Sequence, residues 1–306
     1  MNAPLADLPV PGVRGRWLRN EPMARHSTWR CGGPAQAYFE PADRDDLRLF
    51  LRGVPDATAL LWLGLGSNLL VRDGGLAAVV IATAPGLATL RWEAEDRVYA
   101  ECGVTCARLA REAARHDRAG LEFLAGIPGT VGGALRMNAG ALGSETWALV
   151  EAVETIDARG EVRRHPAADF TPVYRGVSGP AGWFLGAWFR LPTTAGGRGA
   201  ERIREALAQR GATQPTGQAS CGSVFKNPPG DYAGRLIEQC GLKGFRIGGC
   251  QVSTVHANFI VNDERASAAD VEAVIEHVAT TVAARTGVRL QTEVQIVGET
   301  PGAGRP

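Results

Sequence analysis

The 306 residues are 45% hydrophobic and 21% charged, enough to bury a sizeable core, and at about 100 to 200 residues per domain they favour two domains or one large one with an appendage. Thirty-three Lys and Arg stand against 32 Asp and Glu, a net +1 far from the basic excess of a phosphate-neutralising surface, so no nucleic acid is expected as ligand. The six cysteines, Cys31, Cys102, Cys106, Cys221, Cys240 and Cys250, form no CxxC pair and no zinc-finger spacing, which implies free thiols in a reducing compartment and no metal.

The N-terminus, with Pro4, Asp7, Pro9 and Pro11, lacks the basic start and apolar stretch of a signal peptide. The longest apolar runs, 59–65 and 76–82, are far short of a membrane span, so a cytoplasmic protein with no membrane insertion is expected. A short helix is expected over 43–53, with Asp43 or Asp45 near its cap and Leu47, Phe50 and Leu51 on one face. Compact apolar runs at 59–64 and 78–82 suit buried strands. From 87 to 101 two strand-like runs flank the polar 93–96, and Thr105 then caps a helix carrying Cys106, Leu109, Ala110, Ala113 and Ala114 on one face. Segments 150–156 and 161–164 read as a hairpin, and 183–191 as a further apolar strand.

The polar, Gly-rich stretch 192–199 marks a domain boundary. Beyond it the period turns helical: Ile203 with Leu207, then Ala233, Leu236, Ile237 and Cys240. Ser267 and Asp270 form a capping box before Val271, Val274, Ile275, Val278 and Val282. Strands are expected at 257–261 and 289–297, where Leu290, Thr292, Val294 and Ile296 share one face and Glu293 takes the other. The fold class is α+β, with disorder expected only in the two tails.

Three stretches can carry chemistry. Gly64-Leu65-Gly66-Ser67-Asn68-Leu69 follows an apolar strand, and its backbone N–H groups can converge on a phosphate; Leu69 occupies the third glycine position of a Rossmann fingerprint, which disfavours a doubly wound NAD fold. Gly126-Ile127-Pro128-Gly129-Thr130-Val131-Gly132-Gly133, followed by Asn138-Ala139-Gly140, lacks a Walker-type ending yet suits a diphosphate cradle of backbone amides. Together these loops suggest a dinucleotide not held in a Rossmann manner. Ser220-Cys221-Gly222-Ser223-Val224-Phe225-Lys226-Asn227 offers a hydroxyl, a cation and an amide to an oxygen-rich ligand, and no Gly-x-Ser-x-Gly elbow accompanies it.

The stretch from His26 to Ala35, the GSNLLV turn, GIPGTVGGALRMNAG, Tyr174-Arg175, GSVFKNP, Gly241-Leu242-Lys243-Gly244, the block from His256 to Asn262 and the strand around Glu293 occur in one order. That order, over about residues 18–298, resembles the UDP-N-acetylenolpyruvoylglucosamine reductase family in a compact form without the longer subgroup's substrate-capping tyrosine loop. The resemblance implies an FAD-binding domain of the p-cresol methylhydroxylase/vanillyl-alcohol oxidase type at 18–192, built of two α+β subdomains. A C-terminal α+β substrate-binding domain at 199–298 and tails at 1–17 and 299–306 complete that division.

It further implies non-covalent FAD held by Gly64, Gly66, Ser67, Asn68, Leu69, Gly126, Ile127, Pro128, Gly129, Thr130, Gly132, Gly133, Asn138, Ala139 and Gly140. NADPH is the implied reductant, UDP-N-acetylglucosamine enolpyruvate the substrate, and a monomer the expected state. In the implied chemistry hydride passes from flavin N5 to C3 of the enolpyruvyl ether, leaving charge at C2 and the carboxylate. Arg175 matches the arginine that holds that carboxylate, Ser223 the serine that protonates C2, and Glu293 the glutamate that assists; Tyr174, Lys226 and Asn227 match substrate contacts. Cys31, Arg136 and Gly176 depart from the usual pattern without removing a catalytic group. An oxidase of the same fold acting on an alcohol or lactone is the alternative, disfavoured because residues 64–71 hold no histidine for covalent flavin and because GSVFKNP would go unexplained.

Overall fold

The protein was analysed as a computed structural model, which describes residues 10–193 and 197–302. Part of the expected boundary stretch 192–199 therefore lies outside the described residues. The chain separates into two compact units, and neither is contiguous: the first takes Met1–Leu18, Ala37–Leu65 and Ala78–Gln209, the second Arg19–Gln36, Gly66–Ala77 and Arg210–Pro306. This differs from the continuous 18–192 and 199–298 division, because pairing that assigns 19–36 and 66–77 to the second unit joins residues more than 200 apart, which no local pattern reports.

The first unit is built around a five-stranded antiparallel sheet ordered Val162–Pro166, Val150–Ile156, Trp183–Arg190, Arg97–Glu101, Leu90–Ala94. Helix α1 (Arg44–Gly53) precedes these strands in the chain, and α2 (Cys106–Arg115) and α3 (Val131–Met137) lie between the strands Arg97–Glu101 and Val150–Ile156. Asp43 caps α1 by accepting from the Asp46 N–H, and Thr105 caps α2 by accepting from Arg108, as their sequences suggest. Leu109, Ala110 and Ala113 of α2 and Val131, Ala134 and Leu135 of α3 bury against Val98, Ala187 and Phe189 of the sheet. A second core gathers α1 residues Leu47, Phe50 and Leu51 with Ala37, Phe39, Val79 and Ile81. Strand Leu60–Leu63 pairs in parallel with the Leu76–Ala82 strand, Leu63 opposite Ala82, and so delivers Gly64 at a strand end. Val10, Val13 and Trp17 pack on the second core, which corrects the reading of 10–17 as a disordered tail; 1–9 lie outside the described residues.

Helix α4 (Gly199–Thr213) leads toward the second unit, which holds α5 (Ala233–Gln239) and α6 (Ala268–Thr286). A three-stranded antiparallel sheet, Arg246–Ile247, Cys250–Val252 and Ile260–Asn262, packs with α6. Strand Leu69–Val71 runs parallel to Gln295–Val297. Trp29, fully buried, donates its indole N–H to the Ile260 carbonyl at 2.7 Å, and Leu70 lies in the same core as Val271, Val274 and Val278. The strand expected at 289–297 is regular only at Gln295–Val297; Thr292, expected on the apolar face, is exposed and pairs with Phe225 in an isolated bridge. Among the described residues no helix is long and apolar enough to cross a membrane.

Candidate active site

In the first unit the two glycine-rich stretches meet. A Cβ on Gly64 would lie 2.6 Å from the Thr130 hydroxyl oxygen, so only glycine permits this approach. Gly129, with φ +145°, gives its carbonyl to the Cys106 N–H, while the N–H groups of Val131 and Gly132 donate to Val104 and Cys102 at 2.8 Å. Gly132 is as constrained as Gly64, its Cβ falling 2.9 Å from that of Cys102. Gly133 faces the opposite condition, since a Cβ there would meet nothing nearer than Thr130 at 4.0 Å. The motif is thus a helix packed tightly on one side and bare of side chains on the other. The N–H groups of Val131 and Gly132 are thus spent within the protein and Thr130 stands at the N-cap without a side-chain bond, so the face of the motif with room for a cofactor is the one at Gly133.

Helix α3 ends in Asn138, which adopts φ +40° as the left-handed cap and is 1% exposed. Its amide nitrogen donates to Glu145 Oε2 at 2.8 Å and to the Val173 carbonyl at 3.3 Å, and its Oδ1 accepts from the Trp147 N–H at 3.3 Å. Gly140 and Ala141 pair with Glu145 and Ser144 in a short hairpin. A second hairpin, Thr171–Val173 with Gly176–Ser178, has Tyr174 and Arg175 as its two-residue turn. Arg175 sits at φ +55°, the left-handed region, with its guanidinium donating to the Gly140 carbonyl at 3.4 Å and lying 5.0 Å from the centroid of the Tyr174 ring. Gly176, a departure from the family pattern, pairs with Val173 and closes this turn.

In the second unit the segments that carry Ser223 and Glu293 are paired. The Glu293 N–H donates to the Val224 carbonyl at 2.7 Å, Lys226 N–H donates to Gln291, and Phe225 bridges Thr292. Val224, Phe225 and Val294 lie in the core at 1%, 2% and 3% exposure, and Ser223 and Glu293 beside them are half-buried. Gly222 adopts φ +71°, the left-handed region, and a Cβ there would meet nothing within 4 Å.

The GSNLLV turn supports this pair. Gly66 accepts from the Thr28 N–H at 3.1 Å, and a Cβ there would strike the His26 carbonyl at 1.9 Å. Asn68 donates its amide to the Glu293 carbonyl at 3.2 Å and its own carbonyl accepts from Gln295. Leu69 is buried, its carbonyl accepting from the Ser27 hydroxyl. Asn227 is exposed and accepts at Oδ1 from the Ala233 N–H, the first residue of α5, so it also anchors that helix. Beside it, hydrogen bonds from Arg235 and the Tyr232 N–H hold the Asp231 carboxyl down to about 2. The expected site residues thus form two groups, one per unit: Gly64, Thr130, Asn138, Gly140 and Arg175 in the first, Asn68, Ser223 and Glu293 in the second.

Asn258 was not assigned a role by the sequence reasoning. It is 4% exposed, and its amide donates to the Phe225 carbonyl at 2.8 Å while accepting from the Phe225 N–H at 3.0 Å, which fixes the segment behind Ser223. Its signal was a polar residue between Ala257 and Phe259 in an otherwise apolar run. Glu145, which holds the Asn138 amide, carried no local signal. Among the described residues no group of three or more His, Cys, Asp or Glu could hold a metal ion.

Comparison with known proteins gives concordant results. The FAD binding domain family matches residues 35–165, and the family described as UDP-N-acetylenolpyruvoylglucosamine reductase, C-terminal domain, matches residues 214–297. A UDP-N-acetylenolpyruvoylglucosamine reductase of Methylococcus capsulatus is 53% identical over 287 residues, covering 94% of each chain. One from Alkalilimnicola ehrlichii is 55% identical over 290 residues, covering 94% of this chain and 96% of its own. The crystal structure of UDP-N-acetylenolpyruvylglucosamine reductase from Thermus caldophilus superposes with a TM-score of 0.79 at 32% identity, covering 92% of this chain and 98% of its own.

Proposed function

Because the chain belongs to the UDP-N-acetylenolpyruvoylglucosamine reductase family and is an FAD-dependent oxidoreductase, we propose that it reduces UDP-N-acetylglucosamine enolpyruvate to UDP-N-acetylmuramate with NADPH as reductant. The product is a peptidoglycan precursor, and the enzyme acts as a cytoplasmic monomer. The observation that best supports this reading is the pairing of the segments that carry Ser223 and Glu293, with open space at Gly222.

Bound FAD supplies the hydride chemistry, and the glycine-lined stretches at Gly64 and Thr130–Gly133 hold it. Saturating the enolpyruvyl double bond requires one hydride at C3 and one proton at C2. Arg175 donates a fork of N–H bonds to the substrate carboxylate, where charge grows as the double bond is consumed. Ser223 gives its hydroxyl proton to C2; the developing carbanion is a far stronger base than water, so a neutral hydroxyl suffices as acid. Glu293, on the adjoining segment, stabilises the enol form and relays a proton back to Ser223. Tyr174, Lys226 and Asn227 contact the substrate.

The decisive experiment is anaerobic absorbance spectroscopy of the purified protein. NADPH should bleach the flavin band, and UDP-N-acetylglucosamine enolpyruvate alone should restore it. Flavin that bleaches yet ignores the enolpyruvyl sugar would shift the reading to an alcohol or lactone oxidoreductase of the same fold.

A further inference from the structure

The side chain of Asn138 is already fully engaged within the protein. Both donors of its amide are used, to Glu145 Oε2 and to the Val173 carbonyl, and its oxygen takes the Trp147 N–H. At 1% exposure it offers little surface to any ligand. What the amide touches is the framework of Arg175 on two sides. Val173 is the last strand residue before the Tyr174-Arg175 turn, and Glu145 is the strand partner of Gly140, whose carbonyl receives the Arg175 guanidinium. Asn138, Val173, Arg175, Gly140 and Glu145 therefore close a ring of contacts in the first unit.

That ring matters because Arg175 occupies a turn position that disfavours it. A side chain other than glycine at φ +55° persists only where its surroundings over-determine the conformation. The two-residue turn alone does not do so, since its hairpin is three residues long on each side and two of its residues, Val173 and Tyr174, are 54% and 47% exposed. The buried amide adds a constraint from outside the hairpin. Asn138 can hold this place because asparagine tolerates the left-handed cap that ends α3 while its amide reaches both hairpins.

We propose that Asn138 is the positioning residue for Arg175: its buried amide ties the Arg175 turn to the hairpin whose Gly140 carbonyl receives the guanidinium, and so sets the orientation in which Arg175 meets the substrate carboxylate. The proposal rests on the reading of Arg175 given above and departs from the implied role of the Asn138 side chain as an FAD contact.

The test is Asn138→Gly, which keeps a residue suited to the left-handed cap and removes only the amide. FAD should remain bound and NADPH should bleach it at the wild-type rate, while reoxidation by the enolpyruvyl substrate slows about tenfold to a hundredfold, the scale of a misplaced reacting group. In an Arg175→Ala background the same change should slow reoxidation less than about twofold, because a residue acting through Arg175 has nothing left to orient. An undiminished penalty in that background, an equal loss of the NADPH half-reaction, or wild-type reoxidation by Asn138→Gly would each overturn the proposal. Should that variant fail to fold, Glu145→Ala serves in the same cycle, with Glu145→Gln expected to restore the rate because its amide oxygen still accepts from Asn138. Wild-type enzyme that bleaches but is never reoxidised by the substrate would instead refute the functional reading, a result the wild-type control separates from failure of the positioning role.

Discussion

The segment that follows Ser223 is held on two sides, the Val224 carbonyl by the Glu293 N–H and the Phe225 backbone by Asn258. Ser223→Ala should leave flavin binding and bleaching by NADPH intact while slowing reoxidation by the enolpyruvyl substrate about 10²- to 10⁴-fold, the usual contribution of a positioned acid. Stopped-flow traces of the two half-reactions check this, and equal slowing of both would rule out the proton-donor role. Arg175→Lys should slow the same half-reaction at least tenfold, since a compact ammonium cannot present two parallel donors from a turn of fixed geometry. Ser223, Glu293 and Arg175 can be singled out from the sequence because each sits in a short block of residues that carries the family resemblance. Asn258 and Glu145 cannot, because the first bonds the backbone of Phe225, 33 residues away, and the second the side-chain amide of Asn138, 7 residues away, which no spacing rule encodes.

Among the elements, helices with ordinary caps were read correctly and the helix made of glycines was missed. Val131–Met137 contains Gly132 and Gly133, and each glycine costs a helix about 1 kcal/mol relative to alanine, so local propensity argues against α3. Tertiary packing overrides it: Gly132 fits against Cys102 only because it has no side chain. The start of α6 shows a similar split between local and distant signals. The Ser267–Asp270 capping box is visible in the sequence and present in the fold, whereas Asp73, nearly 200 residues away, also accepts from the N–H groups of Ala268 and Ala269 at 3.0 and 2.9 Å. Asp73→Ala should cost about 1 kcal/mol, the typical value of one cap, even with Ser267 in place. A lower urea midpoint at unchanged slope would report this, and an unchanged midpoint would show the second cap to be redundant.

Across the whole molecule the cysteines make burial measurable. All six are buried and none is in a disulfide, and burial pushes the thiols of Cys31, Cys102, Cys106 and Cys250 up to about 12 from an ordinary value near 9. A group whose pKa is higher in the folded than in the unfolded chain contributes stability below its unfolded value and loses it as pH rises further. The denaturation midpoint should thus fall steadily between about pH 9 and pH 12, and six thiols should react with a disulfide reagent only once the chain is unfolded. His256 acts at the acid end: burial lowers its pKa below 6.5, so the unfolded chain takes up the proton first and stability declines as pH falls through that value. A His256→Gln variant should flatten that acid limb, and a limb of unchanged slope would exclude the residue as its cause.

The parallel pairing of Leu69–Val71 with Gln295–Val297 has a consequence for synthesis. The two strands are separated by 226 residues, so at about 5 to 20 residues per second the earlier strand waits on the order of ten to forty-five seconds for its partner to be translated. Throughout that interval Leu70, destined for complete burial, belongs to a nascent chain whose second unit has no closing strand. That unit is consequently completed only after residue 297 has been made, and a chain cut before Gln295 lacks the strand that Leu69–Val71 pairs with.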